Sequence, residues 1–172
     1  DVSNTDNLVG EVSSSNSLIG GKSYDYVANA GVVAINNGDY VVSSSIWSTA
    51  TLNDVGAVTY VDTSENYNVI GNVSSSNSLI GTTANDKVGA GGVTALSDGN
   101  YVINSTYWDS DKSDVGAITF VNVSNSNNVK GIIDSSNSLI GTQEYDRIGY
   151  GGVTALNNGN YVVNSYFWSS NE

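Results

Sequence analysis

The residues able to do chemistry in this chain are few in kind and regular in spacing. Asp25, Asp86 and Asp146 each stand two residues before a Val or Ile, and Asp54 and Asp114 each precede Val-Gly-Ala. A carboxylate can act as base, nucleophile or cation ligand, but catalysis needs unlike groups converging at one place. One carboxylate per cycle of a repeat suits that poorly. These five are therefore read as turn carboxylates that accept backbone N–H groups. His and Cys are both absent, which removes the commonest general base and the commonest zinc ligands. No nucleophile motif or phosphate loop is visible, and Glu11, Glu65, Glu144 and Glu172 show no pairing. The chain is not expected to be an enzyme; a glycan-processing carboxylate pair is the form an enzymatic alternative would take.

The second candidate is aromatic. Ile46-Trp47, Tyr107-Trp108-Asp109 and Tyr166-Phe167-Trp168 recur at one point of the cycle. Trp47, Tyr107, Trp108, Asp109, Phe167 and Trp168 form the candidate ligand-binding set. Rigid aromatic faces with a polar handle stack on sugar rings or anchor a protein partner. The competing reading is that each Trp packs as core between neighbouring units, which its presence in every copy favours.

What must position these residues is a repeat. SSNSLIG occurs three times, with its Asn at 16, 77 and 137. The stretch from Asp86 through Gly92-Val93-Thr94-Ala95-Leu96 recurs from Asp146 to Leu156, and in degenerate form from Asp25 to Ile35. NNGDYVVSS, SDGNYVINS and NNGNYVVNS follow, then the Trp, then DVGAVTYV or DVGAITFV in the first two copies. Taken as units, residues 1–61, 62–121 and 122–172 are three repeats, the third lacking its last strand. Gly92–Leu96, Asn100–Thr106, Gly116–Val121 and Ser136–Gly141 read as short strands, with Ala117, Thr119 and Val121 on one face and Ile118 and Phe120 on the other. Ser97-Asp98-Gly99-Asn100 reads as a tight two-residue turn. No window has helical periodicity.

The fold class is thus all-β, tandem four-stranded antiparallel repeats of about sixty residues. Neighbouring β-propeller blades bury each other's faces, and that arrangement is favoured over a β-trefoil or β-solenoid. Three copies do not close a propeller ring, so a larger array or closure by oligomerisation is expected. The absence of Met, even at position 1, points to a processed chain or part of a longer one.

Composition narrows the partners. With 5 basic and 17 acidic residues the net charge is −12, which excludes a basic footprint for nucleic acid and disfavours anionic membranes. No apolar run is long enough to span a bilayer. The Ser/Asn/Thr/Gly-rich, Cys-free character suits an extracellular or cell-surface bacterial protein.

The run NSLIGTTANDKVGAGGVTALSDGNYVINSTYWDSDKSDVGAITFV resembles FG-GAP blades of integrin-α-like propellers, in which G-x-x-x-x-D-x-(F/V)-G precedes a short strand and an aspartate-rich turn. It is also similar to repeats of filamentous-haemagglutinin-like giant adhesins. The resemblance implies a propeller blade and an adhesive, structural role, with a carbohydrate-binding module as the alternative. FG-GAP blades hold calcium in a D-x-(D/N)-x-D-G loop. Here the loops are Asn36-Asn37-Gly38-Asp39, Ser97-Asp98-Gly99-Asn100 and Asn157-Asn158-Gly159-Asn160, with at most one carboxylate each. A calcium site wants six to eight oxygens, several from carboxylates, so neither calcium nor another cofactor is expected. The expected partners are further copies or neighbouring repeats, and glycans or matrix, joined through open strand edges and multivalent display.

Overall fold

The computed structural model describes residues 10–35, 38–63 and 70–170. Among them are the strands β1 (Leu18–Ile19), β2 (Val32–Ala34), β3 (Tyr40–Ser44), β4 (Ala57–Val61), β5 (Gly71–Asn72), β6 (Leu79–Ile80) and β7 (Gly92–Ala95). They continue with β8 (Tyr101–Ser105), β9 (Ala117–Val121), β10 (Gly131–Ile132), β11 (Ser138–Ile140), β12 (Val153–Ala155) and β13 (Tyr161–Val163). No α-helix occurs among the described residues, in keeping with the β-branched, period-two patterning.

The strands form an open set of sheets of mixed size, ordered β1-β5, β10-β6-β4-β3-β2, β11-β9-β8-β7 and β12-β13. The unit is β7-β8-β9-β11, antiparallel throughout, and β2-β3-β4-β6 is its earlier copy. The pairing register repeats as well: Tyr40 faces Val61 and Ser44 faces Ala57, as Tyr101 faces Val121 and Ser105 faces Ala117.

Two features depart from the sequence reading. Between units, β1 pairs with β5 and β6 with β10 in parallel. The sheets are therefore not purely antiparallel, and the short Gly-x segments before the loops Ser74–Ser78 and Asp134–Ser138 each sew one unit to the last strand of the previous one. The hairpin loop is also longer than a two-residue turn. Leu96 N–H donates to the Asn100 carbonyl at 2.9 Å and Gly99 N–H to the Leu96 carbonyl at 3.2 Å, with positive φ at Gly99 and not at Asp98. That is a type I turn closed by a left-handed glycine, the three-residue hairpin alternative. In the first copy Asn36 and Asn37 lie outside the described residues.

Alternation along the strands sends side chains into separate apolar layers. Val41, Val58 and Leu79 of one unit pack against Tyr101, Ile103, Ala117 and Val121 of the next. From the opposite face of that second sheet, Val102 and Ile118 pack with Leu96 and Ile148, and meet Val153, Tyr161 and Val163. Trp47, Val55, Ala57, Val73 and Ile80 close the layer at the other end.

Backbone joins the units where the layers meet. Asn85, Lys87 and Val88 donate N–H groups to the carbonyls of Asn53, Asp54 and Val55 at 3.1, 3.0 and 3.1 Å. Gly56 lies in the left-handed region (φ 74°), and a Cβ there would strike Val88 backbone; Gly116 stands in the same relation to Ile148. Such a site tolerates no side chain, because neither backbone can retreat without breaking these bonds. Gly116→Ala is expected to cost about 3 kcal/mol or more through strain and displaced backbone, read as a lower urea midpoint. A change below about 0.5 kcal/mol, the scale of an ordinary surface substitution, would refute this close approach.

Candidate functional site

The recurring carboxylates are structural clamps. Asp86 is buried; its Oδ2 accepts the N–H groups of Thr82 and Thr83 at 2.7 and 2.8 Å, and its Oδ1 accepts Asp109 N–H at 3.0 Å. Asp146 holds Thr142 and Gln143 N–H at 2.8 Å each, and Ser169 N–H at 3.0 Å. Asp25 takes Lys22 N–H at 2.8 Å and Ser48 N–H at 3.1 Å. Each side chain thus ties the loop after the Leu-Ile-Gly strand to the residue after the Trp. The glycine of Leu-Ile-Gly is dictated by the same contact: a Cβ on Gly81 would lie 2.6 Å from Asp86 Oδ2. Asp54 and Asp114 take positive φ, 52° and 50°, and begin the tight turn into β4 and β9.

The small polar end of the second strand is a feature that sequence reasoning passed over. Ser44, Ser105 and Ser165 Oγ accept the N–H of Ala28, Gly89 and Gly149 at 3.0, 3.1 and 3.0 Å. Buried Asn104 donates from Nδ2 to the Gly149 carbonyl at 2.8 Å. The signal was the repeated SS or NS directly after an apolar strand, polar residues where a β-strand would continue into the core. The SSSN loops behave as read: Asn77 Oδ1 accepts Ser74 N–H at 2.9 Å while its Nδ2 donates to the Asn72 carbonyl at 3.0 Å.

The aromatic set divides. Trp47 and Trp108 are each 5% exposed and sit in apolar layers, so neither ring presents a face to a ligand. Trp168, at the same point of the third cycle, is 55% exposed. Beside it, Tyr150, Tyr166 and Phe167 form a group with ring centroids 4.7–5.6 Å apart. The Arg147 guanidinium lies over the Tyr107, Tyr145 and Tyr150 rings at 5.5, 5.8 and 6.0 Å, and pairs with Asp114 at 2.6 Å. Lys87 Nζ also lies 5.7 Å from the Tyr107 ring centroid. The result is an exposed aromatic and cationic patch on an otherwise acidic surface. Tyr166 belongs to the aromatic block read from the sequence, whereas Tyr145, which repeats Tyr24 of the first copy, and Tyr150 were not among the candidate ligand-binding residues.

Equivalent acids differ in electrostatics. Burial pushes the Asp86 carboxyl up, opposed by its three backbone donors, with repulsion from Asp109 adding to the rise. Asp109 is itself raised by burial and by Asp114, and accepts Asp114 N–H at 2.6 Å. At Asp146 burial also pushes upward, but backbone bonds from Gln143, Thr142 and Ser169 and a Ser169 hydroxyl bond outweigh it and leave the carboxyl lowered. Burial is the largest contribution at both acids and weighs more heavily on Asp86, and Asp109 in place of Ser169 adds to the difference. No group of three or more acids placed to hold a metal occurs among the described residues.

Fold and site together define an all-β tandem-repeat protein in which the regularly spaced acids and two of the tryptophans hold units to one another. The chain matches the family described as a Repeat of unknown function (DUF5650) over residues 2–29, 34–90, 95–150 and 155–172, and it belongs to that family. The family's unit opens at the close of each cycle's first strand, a different phase of the same period. No curated protein and no solved structure matches the chain.

Two expectations follow. Trp108→Ala should cost about 3–5 kcal/mol of stability, because it opens a cavity between units. Trp168→Ala should cost less than about 1 kcal/mol, because more than half of that side chain is already in solvent; equal losses in chemical unfolding would contradict the division. The paired acids should show opposite pH dependence. A raised folded pKa places Asp86's contribution below its ordinary value of 3.8, to be lost as pH climbs through the folded pKa. A lowered one places Asp146's contribution above 3.8, to be lost as pH falls. The cost of Asp86→Asn should therefore shrink from acid to neutral pH while that of Asp146→Asn grows; slopes of one sign in urea unfolding would overturn the assignment.

Proposed function

We propose that this chain is a structural and adhesive repeat module of a secreted or cell-surface protein, its units stacking as blade-like, propeller-type sheets. The observation that supports this best is that its second inter-unit junction reproduces the first. Tyr145, Arg147 and Ile148 donate to the Ser113, Asp114 and Val115 carbonyls at 3.0, 3.1 and 3.0 Å, matching the bonds of Asn85, Lys87 and Val88 to Asn53, Asp54 and Val55. A junction that repeats in its hydrogen bonds and its glycine can be extended without new chemistry, which is how solenoid and blade arrays grow. Identical units at regular spacing then present the same weak contact many times, and avidity rises with their number. Its partners on this reading are further copies and a matrix or glycan surface, and no cofactor takes part.

The exposed patch of Tyr145, Tyr150, Tyr166, Phe167 and Trp168 around Arg147 favours a second reading, carbohydrate binding at one end of the array. Sedimentation velocity over a wide concentration range, alongside binding to immobilised matrix and polysaccharides, tests both. The structural reading expects reversible self-association or multivalent matrix binding that persists in Trp168→Ala. A monomer at every concentration that binds no matrix would refute it. Saturable polysaccharide binding abolished by Phe167→Ala and Trp168→Ala, with the fold intact, would establish the second.

A further inference from the structure

The hairpin between β12 and β13 carries Asn158-Gly159 at its tip, where the hairpin of the second unit carries Asp98-Gly99. The two turns share one geometry. Gly99 N–H donates to the Leu96 carbonyl at 3.2 Å and Gly159 N–H to the Leu156 carbonyl at 3.3 Å. Both glycines take positive φ, 88° and 81°. Asp98 Oδ1 accepts Asn100 N–H at 3.1 Å, and Asn158 Oδ1 accepts Asn160 N–H at 3.2 Å. The same turn is thus built on a carboxylate in one unit and on an amide in the next.

An amide in that place is open to attack by its own backbone. Asn158 Cγ and the Gly159 nitrogen are spaced to close a five-membered ring, and glycine has no Cβ to obstruct the closure. Asn160 N–H is bonded to Oδ1, the oxygen on which negative charge develops when Cγ is attacked, and a fixed donor there stabilises that charge. The Gly159 N–H bond is longer than ordinary N–H···O bonds, and Asn157, Asn158 and Asn160 are exposed, so the tip opens at little cost. Other asparagines lack this arrangement. Asn77 and Asn137 are each followed by Ser and are bonded at both ends of the side chain, and Asn104 is buried. The first unit repeats the pair as Asn37-Gly38, but Asn37 lies outside the described residues.

We propose that Asn158 is a self-modification site, at which the chain deamidates without an enzyme. The Gly159 nitrogen gives its proton to hydroxide and attacks Asn158 Cγ. The N–Cγ bond forms, the Cγ–Nδ2 bond breaks, and Nδ2 leaves as ammonia after taking a proton from water. Water then opens the succinimide at one of its two carbonyls. Breaking the new N–Cγ bond leaves aspartate; breaking the backbone C–N bond leaves isoaspartate, with the main chain running through Cγ. Either way one ammonia is lost, one water is taken up, and the net charge of −12 becomes one unit more negative.

The second unit shows that aspartate fits the turn, since Asp98 already holds it. The new charge nevertheless arrives beside an old one. A Cβ on Gly159 would lie 3.2 Å from Asp98 Oδ2, and Ser97 Oγ donates to the Asn157 carbonyl at 3.2 Å, so the two tips touch. Isoaspartate lengthens the main chain inside a hairpin closed by Leu156 N–H on the Asn160 carbonyl at 2.8 Å. Both products therefore loosen the contact between the second and third tips.

The 172-residue chain is aged in mildly alkaline buffer and followed by ion-exchange chromatography, with tandem mass spectrometry of fragment 148–172 and enzymatic methylation of isoaspartate. The expected result is a species one charge more acidic, changed at Asn158 before any other asparagine of that fragment, as a mixture of aspartate and isoaspartate. Its rate should rise in proportion to hydroxide, and Asn158→Gln should abolish it. An intact Asn158 when the free peptide TALNNGNYV, residues 154–162, has fully deamidated would overturn the proposal, as would earlier change at Asn157, Asn160 or Asn164. In Asn158→Asp, which fixes one product, the Gly159 amide should exchange faster than in the parent chain at low salt, and the excess should shrink as salt screens the two carboxylates. Equal exchange at every salt concentration would overturn the loosening of the tips.

Discussion

The structure depends on the approach of one backbone to another at Gly56 and Gly116. There a turn of one unit offers three carbonyls to three amides of the next, and the glycine lets the chains come within hydrogen-bonding distance. Everything else follows from that spacing. The sheets it fixes are close enough for Val58 and Leu79 to meet Tyr101 and Ile103, and for Val102 and Ile118 to meet Val153 and Val163. Apolar burial supplies the driving force and is non-directional; the backbone bonds supply the register.

The carboxylate clamps make that junction rigid. The loop carrying the amide donors runs through alternate positive-φ residues, Asn85 (71°), Lys87 (46°) and Gly89 (81°). Two of these three are not glycine, a costly conformation that persists only when neighbours over-determine it. Asp86 does so from within, by binding Thr82, Thr83 and Asp109 amides, and Ser105 Oγ holds the far end at Gly89. An acid repeated every unit is thus a fastening device. The energetic cost appears in the raised carboxyl of Asp86, where burial outweighs the donors.

The array is not uniform, and the differences gather at one end. The third unit replaces Asn85, Ala90 and Thr106 with Tyr145, Tyr150 and Tyr166, which cluster with Phe167 and Arg147. Tyr145 has a counterpart in Tyr24 of the first unit, whereas Tyr150 and Tyr166 have none. Tyr150 and Tyr166 pack on Phe167, and the Arg147 guanidinium lies over Tyr145 and Tyr150.

Much was legible in the sequence. The period, the strands and their order, and the all-β class came from SSNSLIG, GNYVV and GAxTxV, because strand alternation and turn glycines are local signals. The turn role of the acids was legible for the same reason: Asp86 contacts residues three and four positions before it. The parallel pairing of β6 with β10 was not, since Leu79 and Gly131 carry no local mark of each other. Nor was the burial of Ser43, Ser44 and Asn104, whose partners lie 16 to 46 residues away. The tryptophans show the limit most clearly. Trp47 and Trp108 carry no local mark that says whether their rings are core or binding surface, and both are buried. Sequence by itself determined which side chain recurs and what conformation its strand takes, because those signals are local; only the tertiary structure decided that Trp47 and Trp108 are core, because residues that cover them, such as Val73 and Ile80 for Trp47 and Val88 and Ile133 for Trp108, are distant in sequence.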